Sequence, residues 1–293
     1  MRRIFCAALL VMILAVPSYS LERLTITLGL LDKLNSTEER FAEAWKESFA
    51  PHGELLQVNV KFYSTLTAMQ MALNAGEIAH IVLPEPSAQY LMNTAGGYDS
   101  VLVLRSKGMG LAFGFRDDSK ALRDEFNAAL SAMRDNWVLA ALEGLYISSP
   151  GTNDPQPVKF TEFPGADTVK VAVTGDLPPI DYIAPDGTPA GYNTAVLAEI
   201  GRYLKKNIQL VNIDSGARSA ALASGRVDAV FWYEVEQGAK TQNDIPDGVI
   251  VSEPYYEWEK FIHLRRHVER ESEWSWDFSA SGFFKLYLGG KEW

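Results

Sequence analysis

Short runs in which apolar residues alternate with polar ones or crowd together recur along the chain, and stretches of helical period lie between them. Leu24–Leu30, Leu56–Phe62, Ile78–Leu83, Val169–Val173, Ile208–Ile213 and Val227–Trp232 read as β-strands. Phe41, Trp45 and Phe49 fall at four-residue spacing in Thr37–Phe49, which predicts an amphipathic helix with Ser36 or Thr37 as its cap. Leu66–Ala75, Asn193–Lys205 and Ser219–Ser224 predict further helices, and the alanine-rich stretch Ala121–Leu142 predicts one long one. Strand alternating with helix implies an α/β fold with parallel sheet and crossover helices.

Residues 148–165 interrupt the pattern. Pro150, Gly151, Asn153, Pro155, Pro157, Pro164 and Gly165 are too many breakers for a helix or a central strand, so an exposed linker is expected. The pattern then repeats across this joint. Ala72–Ile78 (ALNAGEI) resembles Ala221–Val227 (ALASGRV), a helix ending at Gly76 or Gly225 with a strand beginning at once. Each glycine is placed to be a left-handed helix cap. Upstream, each copy has a strand reaching a glycine, Gly29 or Gly175. Two βαβ halves of like pattern predict two similar lobes.

Composition narrows the compartment and the partners. A hydrophobic fraction of 47% and a charged fraction of 22% are globular values, and 293 residues suffice for two cores. Arg2 and Arg3 precede the apolar run Ile4–Val16, and Ser18 and Ser20 follow it, which is the layout of a cleaved secretory signal over residues 1–20. The apolar run is shorter than the roughly 20 residues a spanning helix needs. Cys6, the one cysteine, sits inside that run, so neither a lipid anchor at its end nor a disulfide is expected. Losing the signal takes the formal charge from −10 to −12. An acidic chain gains nothing from phosphate neutralisation, so neither nucleic acid nor an anionic membrane surface is expected as partner.

The second half resembles a known family. Val169–Tyr182 (VKVAVTGDLPPIDY), Asp186–Asn193 (DGTPAGYN), the junction Ala221–Ala229 (ALASGRVDA) and Ser252–Tyr256 (SEPYY) follow the order of motifs in the family 3 periplasmic solute-binding proteins. The first half resembles that family's later portion: Met69–Leu83 with Glu85-Pro86 is similar to its last βα unit, and Gly114–Tyr146 to its closing strand and final helices. Material that usually comes last comes first, which implies circular permutation. The rival arrangement, two incomplete tandem modules, leaves each short of a closed sheet. The resemblance implies the type II periplasmic-binding-protein fold, two α/β lobes joined by two crossing segments. The expected boundaries are lobe B over 21–107 with the tail 266–293, and lobe A over 108–265 including the linker. It implies a periplasmic monomer that captures a small polar or amino-acid-like molecule by hinge closure, without enzyme activity or cofactor, for an inner-membrane ABC permease. A dehydratase on the same fold and a non-binding sensor or scaffold are the alternatives.

Ligands in such a fold lie between lobes at the carboxyl ends of strands. Asp176 and Tyr182 follow lobe A's first strand, where Tyr182 either stacks on a ligand or closes the core. Trp232, Tyr233 and Glu234 end the strand from Val227. Adjacent aromatics point to opposite faces, so one is expected in the core and one in the cleft. Ser36 and Thr37 precede a helix amino end, which suits an anion as well as plain capping. The family's amino-acid binders carry an arginine where this chain has Lys240, and an aspartate where it has Pro84 next to Glu85. Lys240 offers a point charge in place of a planar fork. Usual α-amino-acid recognition is therefore in question. His52, His80, His263 and His267 show no metal-ligand pattern, although His263 and His267 are four apart. Phosphate-loop and nucleophile-elbow motifs are missing from the sequence. The aromatic tail, with Trp274, Trp276, Phe278, Phe283, Phe284, Tyr287 and Trp293, is expected to pack on lobe B or to serve as a docking surface.

Overall fold

The computed structural model describes residues 24–49, 56–148, 150–151, 157–184 and 186–268, with three short strands beyond them; the expected signal segment lies outside the described residues. The first half contains β1 (Leu24–Leu31), α1 (Glu38–Phe49), β2 (Leu56–Tyr63), α2 (Leu66–Asn74), β3 (His80–Pro84), α3 (Glu85–Thr94) and the start of β4 (Tyr98–Arg116). After it come α4 (Lys120–Asp135), α5 (Val138–Tyr146), β5 (Thr168–Val173), β6 (Asp176–Leu177), β7 (Asp181–Ile183), β8 (Pro189–Ala190), α6 (Tyr192–Leu204) and β9 (Asn207–Asn212). A 3-10 turn at Ser215–Ala217, α7 (Arg218–Ala223), β10 (Ala229–Glu236), β11 (Val249–Val251) and β12 (Tyr256–Arg266) complete the body.

One curled nine-stranded sheet runs through both halves. At one end the order is β2-β1-β3-β12-β4; at the other it is β9-β5-β10-β4-β11. In each half the first three strands are parallel and the other two are long crossing strands or short antiparallel additions. β4 and β12 pair with each other and belong to both halves. Two α/β halves joined by two crossing strands make this the type II periplasmic-binding-protein arrangement. The helices α4 and α5 pack on α6, and β4 beyond Met109 pairs with β10, beside β5.

The crossing is where both strands break register. Trp258 faces Met109 and Lys260 faces Arg105, so Ser106–Gly108 oppose Glu259 alone. Gly108 adopts φ +109°, which a side chain would resist. Ladder bonds are interrupted there, and bending costs least at such a place.

The helix caps follow the sequence closely. Gly76 and Gly225 both take left-handed φ, and each copy makes the paired bonds of a Schellman motif: Gly76 N–H to Leu73 O and Glu77 N–H to Ala72 O, Gly225 N–H to Leu222 O and Arg226 N–H to Ala221 O. Other expectations are corrected. Ala121–Leu142 is two helices, because Trp137 is left-handed at φ +63° and Asn136 turns its side chain back on Ala132 O. The apolar period stays in phase across that break and hides it. Gly29 lies within β1, not at its end, where α2 packs so close that a Cβ would fall against Ile78 and Met69. The stretch 157–165 is not wholly exposed, since Val158 and Phe160 pack on the core. The tail strands Trp274–Phe278, Phe284–Leu288 and Lys291–Glu292 pair with one another as a separate antiparallel sheet.

β10 runs four residues past Trp232 and carries a bulge: Val230 faces Gly114 and Tyr233 faces Ala112. Phe231 and Trp232 therefore share one cluster while Val230 and Tyr233 share the opposite one. Gly114 has room for no side chain, because a Cβ there would overlap the Tyr233 ring. We expect Gly114→Ala to lower the unfolding free energy by about 3 kcal/mol, the upper part of the range for overpacking, measured by urea titration. An unchanged midpoint would show that the ring has somewhere else to go.

Candidate functional site

The carboxyl ends of both sets of parallel strands meet at the crossing. The first half brings Asp32 and Lys33 after β1, Ser64 and Thr65 after β2, and Pro84 at the end of β3. The second half brings Asp176 after β5, Ser215 after β9, and Glu234 and Glu236 at the end of β10.

Much of this junction is closed by the chain's own groups. Leu66 N–H, at the amino end of α2, donates to Asp176 Oδ2 at 2.7 Å. Burial raises the Asp176 carboxyl above its ordinary range, against the pull of the Leu66 and Thr67 N–H groups. Ser215 N–H donates to Ser64 O, and Asn35 donates from its backbone to Asn243 O and from its side chain to Gln242 O at 2.8 Å. Gly216 sits so close to Asp32 that a Cβ would fall 2.6 Å from the carboxylate. The rings of Tyr90 on α3 and Tyr182 on β7 lie 6.0 Å apart across the halves.

Two buried ion pairs form the centre. Lys33 pairs with Glu234 across the halves, with side chains 7% and 9% exposed. Burial pushes the Glu234 carboxyl up, and the Lys33 ammonium only partly offsets this. Arg218, at the start of α7, is 1% exposed. Its Nη groups reach Asp244 at 2.9 and 3.3 Å, its Nε donates to Ser215 O at 2.7 Å, and Nη1 also donates to Trp232 O. The guanidinium lies 4.5 Å from the Trp232 ring and 5.0 Å from the Tyr233 ring. Asp244 accepts further from Glu234 N–H and, at 3.5 Å, from Leu34 N–H, so both its oxygens are doubly engaged.

Beside these pairs a cavity of about 440 Å³ opens where the first half, the crossing strands and the end of β10 with the loop after it meet. Phe41, Trp45, Leu83, Met109 and Phe261 supply apolar walls, and Lys33, Ser106, Glu234 and Glu236 supply polar ones. A second hollow of about 470 Å³ adjoins it, sharing Phe41, Trp45, Glu236 and Asn243, and adds Ser36, Arg40 and Lys240.

The residues singled out from sequence separate accordingly. Glu234 lines the cavity. Ser36 and Lys240, from opposite halves, come together in the adjoining hollow, where Ser36 Oγ is buried and has no hydrogen-bond partner among the described residues. Thr37 caps α1, accepting from Arg40 N–H at 3.3 Å. Asp176 is engaged by α2 and Tyr182 faces Tyr90. Glu85 turns to Lys260 Nζ at 2.8 Å and lines neither space. Trp232 and Tyr233 are both buried, on opposite clusters, and neither faces the cavity: the strand runs on past them, so its open end is Glu234–Glu236. Arg218, Asp244 and Lys33 went unread. Nothing in local period marks Arg218, and its partner lies 26 residues on in a loop.

His263 is in β12, its ring 5.0 Å from Trp45 and 5.9 Å from His80. His267 turns away to Asp99. Among the described residues no cluster of three His, Cys, Asp or Glu could hold a metal ion, and no helix is long and apolar enough to cross a membrane.

Residues 169–243 match the profile of the bacterial extracellular solute-binding proteins, family 3. This is the stretch that carries three of the four motifs noted in the sequence. No curated protein matches the chain. Among solved structures, the chain is similar to the zinc-bound ligand-binding component of an ABC-type import system from Staphylococcus aureus, at 13% identity and TM-score 0.40, covering 83% of this chain and 66% of that one. It is similar to the methionine-binding protein MetQ at 12% identity and TM-score 0.39, covering 83% of each chain. A third is the alkanesulfonate-binding protein SsuA from Xanthomonas axonopodis pv. citri bound to MOPS, at 10% identity and TM-score 0.39, covering 84% and 66%. The chain spans just under two thirds of the length of the first and third of these.

Proposed function

We propose that the chain is an extracytoplasmic solute-binding protein, without catalytic activity of its own, that hands a small molecule to an ABC-type permease. The observation that carries this reading is the cavity of about 440 Å³ set where two α/β halves meet at a pair of crossing strands. Its size suits a metabolite-sized guest. The family match over 169–243 supports the same reading. Closure would turn on the register breaks at Ser106–Gly108 and Glu259, and a ligand touching both halves favours the closed form by its extra contacts. The order of the halves, with the family-matched strand β5 coming after β4, α4 and α5, supports a circularly permuted chain with lobe boundaries at about 107 and 265, acting as a monomer.

A second reading has a specific observation behind it. Asp176, through Leu66 N–H, and Lys33, through Glu234, tie the halves to each other, and Arg218 reaches Asp32 O across them at 3.5 Å. That is what a non-binding scaffold derived from the same fold would do. Thermal unfolding against a panel of amino acids, amines, sulfonates and sugars separates the two, since binding to the folded form raises the melting temperature. A solute that shifts the midpoint in proportion to the logarithm of its concentration, and is recovered unchanged, supports capture. Silence across the panel favours the scaffold, and recovery of a dehydrated product would favour an enzyme.

A further inference from the structure

We infer that the cavity at the crossing takes an organic cation with an apolar body, its ammonium against Glu236 and its body against Phe41, Trp45 and Phe261. This rests on the solute-binding reading above and names the ligand class which that reading leaves open.

The charges around the cavity are not balanced. Its lining carries Lys33, Glu234, Glu236 and Asp244. Lys33 is committed to Glu234. Asp244 is committed to Arg218 and to the Glu234 N–H. Glu236 is left. Asn243 Nδ2 donates to its Oε1 at 2.8 Å, and no ion pair forms on it among the described residues. Arg40 and Lys240 stand in the outer hollow, both exposed to solvent, and neither comes within ion-pair distance of Glu236. An anionic guest in the inner cavity would meet an unpaired carboxylate there. It would find Lys33 and Arg218 already engaged, and recruiting Lys33 would strand Glu234 buried and unpaired.

The walls fit the opposite charge. Phe41, Trp45 and Phe261 are three aromatic side chains on one cavity, and aromatic faces attract ammonium groups, more strongly where water is excluded. Leu30, Leu31, Val82 and Met109 extend the apolar surface. Ser106 Oγ lines the same space, buried and without a hydrogen-bond partner among the described residues, and offers one polar contact to the guest.

Isothermal titration of the full chain with benzyltrimethylammonium, benzyl alcohol and phenylacetate tests this. The three share a ring and differ in charge. The cation is expected to bind at least about tenfold more tightly than the other two, the Glu236 carboxylate adding to the roughly threefold that the aromatic walls give a partly desolvated cation. Glu236→Gln should cut that preference to within about threefold while leaving the urea midpoint unchanged. Because the comparison among the three ligands needs no variant, it stands even if Glu236→Gln misfolds. Equal or tighter binding of the alcohol or of phenylacetate overturns the ligand class and leaves solute capture standing. Failure of all three to bind overturns the proposal, and the metabolite panel then decides separately whether the cavity binds anything.

Discussion

Asp244→Ala should cost about 3–5 kcal/mol of folding stability, more than any other single substitution near the cavity. The reason is what it leaves behind. Arg218 is 1% exposed, so without Asp244 its guanidinium charge stays buried against carbonyls, two aromatic faces and a Glu234 carboxylate already paired with Lys33. Breaking one side of a buried pair carries that penalty. Replacing both partners is a different experiment. Arg218→Met with Asp244→Leu removes both charges, and such double replacements are often close to neutral. The Glu234 N–H would still lose its acceptor, which costs about 1–3 kcal/mol. A double-mutant cycle by urea unfolding should therefore give a coupling energy of at least about 2 kcal/mol. Additive losses would mean that the guanidinium finds water or another partner, and that the pair is not what holds this corner.

Much of this corner was hidden from the sequence for a physical reason. Period and punctuation report on residues near each other in the chain. They gave the three parallel strands of each half and the two glycine caps, because a helix stop and the strand after it are local events. The break at Asn136-Trp137 escaped because apolar spacing continues through it. β4 escaped as a single strand of 19 residues because Gly108, Gly110 and Gly114 interrupt its apolar pattern. In the folded chain these glycines serve close approach instead, to Pro254 at Gly110 and to the Tyr233 ring at Gly114. The aromatics Trp232 and Tyr233 were the natural residues to place in a cleft. A bulge in β10 and the strand's extension to Glu236 put them inside, and the guanidinium of Arg218 fills the space between their faces. The cavity walls Phe41 and Trp45 were visible as a helix stripe, but nothing local says that such a stripe borders a cavity. Contacts across the two halves depend on long-range pairing, which one sequence does not display.

The pH dependence of stability should divide into two opposed parts that can be assigned to named residues. His263 is 1% exposed, and burial, with His80 beside it, lowers its pKa to about 3. His80 is lowered to about 4 by burial and by the Arg265 charge. A depressed folded pKa means stability that is present above the unfolded value of about 6.5 and lost as pH falls toward the folded one. His263 alone should then remove on the order of 3 kcal/mol between pH 7 and pH 4.5. Asp181 works in the other sense. It is 2% exposed, and burial raises its pKa to about 6 despite bonds from Thr174 and Gly175. Its contribution is present below the unfolded value of about 3.8 and is lost as pH rises through 6. The two histidines, each losing about 2–3 kcal/mol, outweigh the roughly 2 kcal/mol that Asp181 regains, so the wild-type chain is expected to lose about 3 kcal/mol of stability from pH 7 to 4.5. His263→Leu leaves His80 against Asp181, two contributions of about 2 kcal/mol and opposite sign, so that variant should show a nearly flat profile between pH 4.5 and 7. Asp181→Asn keeps an oxygen to accept the Thr174 and Gly175 N–H groups. It should expose the full histidine slope, with stability falling by about 5 kcal/mol from pH 7 to 4.5. Unfolding free energies of the three proteins at both pH values decide it, and parallel profiles for all three would mean that none of these groups is titrating in the buried state described.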